Sequence, residues 1–98
     1  MSEFSMPESA PVDLQKIDQS IAKLTPRQRA ILAWMAHGSP NHEIAEHLSF
    51  SRKLIETECS RIFSILGVEN RTAAAVFYAL WENANTYNHR GNSLFTYR

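Results

Sequence analysis

Ninety-eight residues with 44% hydrophobic and 20% charged side chains make one modest soluble domain, too small to enclose a deep substrate cavity. Ten basic residues balance ten acidic ones, so overall charge neither argues for a polyanionic partner nor excludes one. No apolar run approaches the ~20 residues that cross a bilayer, the N-terminus MSEFSMPESAPVD is unlike a secretory signal, and the single cysteine, Cys59, rules out an internal disulfide, so no membrane partner and a reducing cytoplasm are expected.

Residues 1–11 carry two prolines, three serines and two glutamates and read as a disordered tail. Over 12–23 the apolar residues Leu14, Ile17 and Ile21, continued by Leu24, recur at helical spacing, with Lys16, Asp18 and Gln19 outside the stripe. This N-terminal helix could pack on the domain or on a second copy of itself. Thr25-Pro26-Arg27-Gln28 is a strong helix start: Thr25 caps, proline suits the first turn, and Gln28 completes a capping box. Ala30, Ile31, Trp34 and Met35 are expected to face inward, and His37-Gly38 closes the helix.

After Ser39-Pro40, Asn41 is expected to cap a short helix over 42–48 whose core face is Ile44, Ala45 and Leu48. Ser49-Phe50-Ser51 then makes a three-residue turn into a longer helix capped by Ser51 and ended by Gly67. Two helices joined by so short a turn form a helix-turn-helix. On the longer helix Ile55, Cys59, Ile62 and Leu66 share one face, while Lys53, Glu56, Thr57, Ser60 and Ser64 occupy the other. A helix with one face in a core and the other in solvent can be laid into a DNA major groove.

Asn70 is expected to cap a last helix over about 71–83. Its run from Ala73 to Trp81 holds more apolar surface than one small core can bury, which points to a second contact, most simply a two-fold homodimer. Residues 85–98 read as a C-terminal tail, a loop in which Leu94, Phe95 and Tyr97 could dock.

Three blocks of this sequence resemble the LuxR-type (GerE-type) helix-turn-helix domain. They are Leu24-Thr25-Pro26-Arg27-Gln28, Ala36 to Ala45 (AHGSPNHEIA), and Leu66 to Ala73 (LGVENRTA). The family pattern runs L-T-x-R-E, G-x-S/T-N-K-E-I-A, S-x-x-T-V-K-x-H and L-G-V-x-N-R-T, and the likeness covers about 24–84. It implies an all-α fold, a four-helix LuxR/GerE-type helix-turn-helix domain with an additional N-terminal helix. It also implies a small transcription regulator that binds double-stranded promoter DNA as a dimer. By position, Lys53, Glu56, Thr57 and Ser60 would meet base edges, and His42, Arg52 and Arg61 the DNA backbone. Ala73, Val76, Phe77, Leu80 and Trp81 would form the dimer seam. Only some 23 residues precede the first block, so the stand-alone form of the family is expected, without a receiver or ligand-binding domain.

The departures from the pattern fall on the reading helix. Glu56 stands at the usual lysine, Glu58 at the usual histidine, Leu54 at the usual threonine, and Ser64-Ile65 at a basic pair; His42 replaces the lysine of N-K-E-I-A. Each lost phosphate contact lowers the salt dependence of binding by about one unit of slope. Glu56 can instead accept from a cytosine amino group, whereas Glu58 is expected to oppose binding. The acidic residues, with Leu54 and Ile65, motivate an alternative: a protein-binding helix-turn-helix module that has lost DNA binding and modulates another transcription regulator or RNA polymerase.

Other chemistry is not expected. His42 and His47 are five apart, where a helical zinc pair needs four, so no metal is expected. Cys59 sits on an apolar face and reads as a small buried hydrophobe. Ser51 and Thr25 have no supporting base, and the three glycines form no phosphate loop; no cofactor and no enzyme activity are expected.

Overall fold

A computed structural model describes residues 13–90, with side chains placed through residue 86. Five helices fill these residues: α1 (Leu14–Ala22), α2 (Pro26–Ala36), α3 (Asn41–Leu48), α4 (Arg52–Leu66) and α5 (Arg71–Arg90). The expected all-α architecture with a leading extra helix is the one observed. Ile31, Leu32 and Met35 of α2 meet Ile44 of α3, Ile55 and Ile62 of α4, and Ala74 of α5 in a single core, closed on one side by Ile17 and Ile21 of α1. Burying an isoleucine fully is worth about 1.5–3 kcal/mol, so Ile31, Ile44, Ile55 and Ile62, each with no exposed surface, carry much of the stability.

Local chemistry sets most helix ends. Asp13 caps α1 by accepting from the Lys16 amide at 3.1 Å. Thr25 accepts from the Gln28 amide at 3.1 Å while the Gln28 side chain accepts from the Thr25 amide at 3.0 Å, completing the capping box. Ser51 caps α4 through the Leu54 amide at 3.0 Å, and Asn70 caps α5 through the Ala73 amide at 2.8 Å. Gly67 ends α4 in the left-handed region at φ 72°. The turn from α3 to α4 is Ser49-Phe50-Ser51, and Ser49 itself adopts φ 60°, a left-handed conformation that a side chain disfavours.

The cap of α3 differs from expectation. Pro40, not Asn41, holds the N-cap position, with no side-chain cap. The Asn41 carbonyl is engaged elsewhere: Arg71 donates to its Oδ1 at 2.9 Å and the Cys59 thiol lies 3.7 Å from it. Arg71 also donates to the Ser39 carbonyl at 2.6 Å, so the first turn of α5 pins the start of α3. In α2, Leu32 joins the core, and Ala30 and Trp34 are only half-buried. The buried residues of this helix, Gln28, Ile31, Leu32 and Met35, follow one helical stripe, and Ala30 and Trp34 lie off it. Trp34 stacks on His47 with ring centroids 3.9 Å apart.

The last helix is longer than its sequence pattern suggests. It does not give way to a loop at Asn85 but runs to Arg90; the expected docking of Leu94, Phe95 and Tyr97, and the tail over 1–11, lie outside the described residues. The cause is α1, which lies along α5 and supplies packing surface as far as Ala84 and Asn85. The Trp81 indole donates to Asp18 Oδ1 at 3.0 Å. Leu14, Gln15, Asp18, Trp81, Ala84 and Asn85 line the cleft between the two helices. Arg29 seals the joint, donating to the Ile21 carbonyl at 3.2 Å with its guanidinium 5.9 Å from the Trp81 ring centroid. A cation at the last turn of α1 is also favoured by the helix dipole.

Two of the left-handed positions, Gly67 and Ser49, make opposite predictions. A Cβ at Gly67 would meet nothing within 4 Å, so Gly67→Ala should cost only the backbone strain, about 1 kcal/mol. Ser49→Gly should move stability the other way, by up to about 1 kcal/mol. Urea midpoints at unchanged m-value are the measurement.

Candidate nucleic-acid interface

The phase of α4 decides what the helix offers to a partner. Ile55, Cys59, Ile62 and Leu66 are buried, as their spacing requires. Arg52, Lys53, Glu56, Ser60, Arg61 and Ser64 are exposed, and Thr57 is half-buried. His42 is exposed in the first turn of α3, at the N-terminal end of the first helix of the helix-turn-helix. Leu54 and Ile65 are half-buried rather than free, and Ile65 packs against the core.

Glu58 is the correction. It does not sit on the outward face as a stray anion; it is turned inward and is 4% exposed. The Gln28 side-chain amide donates to its Oε1 at 3.0 Å, and Arg27 donates to its Oε2 at 3.1 Å. Arg61, one helical turn on, lies 3.8 Å from the same Oε2. The Gln28 hydrogen bond, then Arg27 and Arg61, hold the carboxyl below the usual carboxylate range, against the opposing effect of burial. A charge at this depth is tolerated only because it is paired and hydrogen-bonded.

Two of the partners were not visible as such in the sequence. Gln28 reads as a capping residue, which it is, but its amide also reaches α4. Arg27 is thirty-one positions from Glu58, and nothing local marks the pair. Arg61 sits at i+3 from Glu58, the one contact with a sequence signature. With Glu58 paired inside, Glu56 is the one exposed acid on α4, beside the exposed cations Arg52, Lys53 and Arg61 of the same helix. Cys59, buried beside Asn41, has its thiol pKa pushed up by desolvation, as suits a core residue rather than a nucleophile.

The Glu58 cluster fixes a pH dependence. A carboxyl with a depressed folded-state pKa stabilises the fold above its unfolded pKa, and that stability is lost as pH falls through the folded value. Wild-type protein should therefore lose stability as pH drops below about 4. Glu58→Gln should cost about 1–3 kcal/mol at neutral pH and flatten the acid limb. Urea unfolding across this pH range reads both, and an unflattened limb counts against the pairing.

The profile of the bacterial regulatory proteins of the luxR family (GerE) matches residues 22–78. The chain is 35% identical over 57 residues to the DNA-binding transcriptional activator DevR/DosR of Mycobacterium tuberculosis, covering 58% of this chain and 26% of that protein. It is 43% identical over 54 residues to the transcriptional regulatory protein LiaR of Bacillus subtilis, covering 55% and 26%. It is 40% identical over 55 residues to YhcZ of Bacillus subtilis, described as an uncharacterized transcriptional regulatory protein, covering 56% and 26%. The chain spans about a quarter of the length of the curated relatives it matches. No solved structure matches it. With a helix-turn-helix of the observed form and a profile match over more than half its length, this chain belongs to the luxR family of bacterial regulatory proteins, which are not enzymes.

Proposed function

We propose that this chain regulates transcription by binding promoter DNA through α4, as a two-fold dimer. The observation that carries the reading is the outward face of α4. A helix anchored in the core by four residues presents Arg52, Lys53, Glu56, Ser60 and Arg61 to solvent. Lys53 can donate to guanine acceptors, Glu56 can accept from a cytosine amino group, and Thr57 and Ser60 can do either. Arg52, Arg61 and His42 flank them as backbone contacts, which position the helix without reading sequence. The inward turn of Glu58 weakens the case for the alternative, a module that binds another regulator or RNA polymerase instead of DNA. No helix among the described residues is long and apolar enough to cross a membrane, and a cytoplasmic site of action fits the single buried thiol.

For the dimer, α5 is the proposed seam. Phe77, Leu80 and Trp81 pack against the core, and Trp81 is also tied to α1, whereas Val76 is 53% exposed. Ala73, Val76 and the free edge of Leu80 then form the stripe that a second copy would cover, with Val76 at its centre.

Fluorescence anisotropy with promoter DNA at two salt concentrations tests the first part. Arg52→Ala should weaken binding on all sequences and reduce the salt slope by about one. Glu56→Gln should relax preference at one base pair, worth about 1–3 kcal/mol. Absence of affinity at low salt removes the reading. For the second part, Val76→Arg should shift sedimentation to the monomer mass, while Trp81→Ala should mainly lower stability.

A further inference from the structure

Two guanidinium groups converge on one carboxylate oxygen where α2 meets α4. Arg27 approaches Glu58 Oε2 at 3.1 Å and Arg61 approaches it at 3.8 Å. The Arg27 guanidinium also lies 5.1 Å from the centroid of the Phe50 ring, in the turn between α3 and α4. The carboxylate is inside and the cations are outside: the Glu58 side chain is 5% exposed, that of Arg27 47% and that of Arg61 62%. Two cations against one anion leave the cluster positive. Arg27 makes one side-chain hydrogen bond among the described residues, which leaves most of its five N–H groups without a protein acceptor there. Beside the cluster a shallow hollow of about 360 Å³ is lined by Gln28, Ser60, Arg61, Ser64 and Ile65. Its two serines are exposed residues of the outward face of α4, so the hollow joins the start of α2 to that face.

We propose that Arg27 is a phosphate contact, reaching the DNA backbone from α2 next to α4, with Glu58 as the residue that positions it. This rests on the DNA-binding reading above. The ligand group is a backbone phosphodiester, which the planar fork of arginine matches better than a lysine does. Phe50 beneath and Glu58 behind restrict the guanidinium in advance, so little side-chain freedom is lost on binding. The arrangement supplies from α2 a cation that α4 itself lacks at Glu56, Ser64 and Ile65.

Arginine footprinting on the wild-type protein tests this without a variant. Phenylglyoxal modification is followed peptide by peptide, with and without mixed-sequence double-stranded DNA at low salt, where phosphate contacts dominate. Arg27 should be protected several-fold, together with Arg52 and Arg61, and Arg29, held against Trp81, should not. Protection of Arg52 and Arg61 but not Arg27 overturns this inference alone. Protection of none overturns the DNA-binding reading with it. Among variants, Arg27→Gln should reduce the salt slope by about one while Arg27→Lys keeps it. An unchanged slope in Arg27→Gln contradicts the contact. In Glu58→Gln, Arg27 should lose protection relative to Arg52; equal protection of both refutes the positioning role.

Discussion

A buried carboxylate on α4, met by an amide and a guanidinium from α2, is the constraint that joins the two helices. Glu58 can stay ionised in its buried place because Gln28 and Arg27 meet it there; without them its charge would be stranded away from water. The apolar residues Ile55, Cys59, Ile62 and Leu66 set which face of α4 is buried. The directional hydrogen bonds to Glu58 tie that face to α2 and leave Lys53, Ser60 and Ser64 exposed on the other. The capping box of α2 serves the same end, because the Gln28 that closes it is also the donor to Glu58.

A second set of contacts joins the ends of the chain. The apolar surplus of α5 is partly absorbed by α1, through Trp81 on Asp18 and Arg29 on the last turn of α1. That pairing carries α5 past Asn83, turns its bulkiest side chains toward the body of the domain, and leaves Val76 as the large apolar residue of α5 that is exposed among the described residues. Surface that a sequence offers to a partner copy can thus be claimed first by a helix of its own chain.

Much of this was legible before any coordinates. Thr25, Ser51, Asn70 and Gly67 end their helices as their side chains and backbone preferences require. The three-residue turn falls at Ser49-Phe50-Ser51, and the inward stripe of α4 follows from spacing alone. The outward residues Lys53, Glu56 and Ser60 follow from the same stripe. Three readings failed for one shared reason. Asn41 looked like a cap, Glu58 like an intruding anion, and Asn85 like the start of a loop. Each is decided by a partner far along the chain: Arg71, Arg27 with Gln28, and the surface of α1.

By itself, then, the sequence determined what acts within about one helical turn: caps, turn length, helix phase, and the three blocks that mark the family. Those signals are local because a backbone hydrogen bond or a helical face involves residues three or four apart. Tertiary structure alone decided the inward turn of Glu58, the partner of Asn41 and the length of α5. In each case a polar or apolar group had several ways to be satisfied, and only the packing of distant helices selects one.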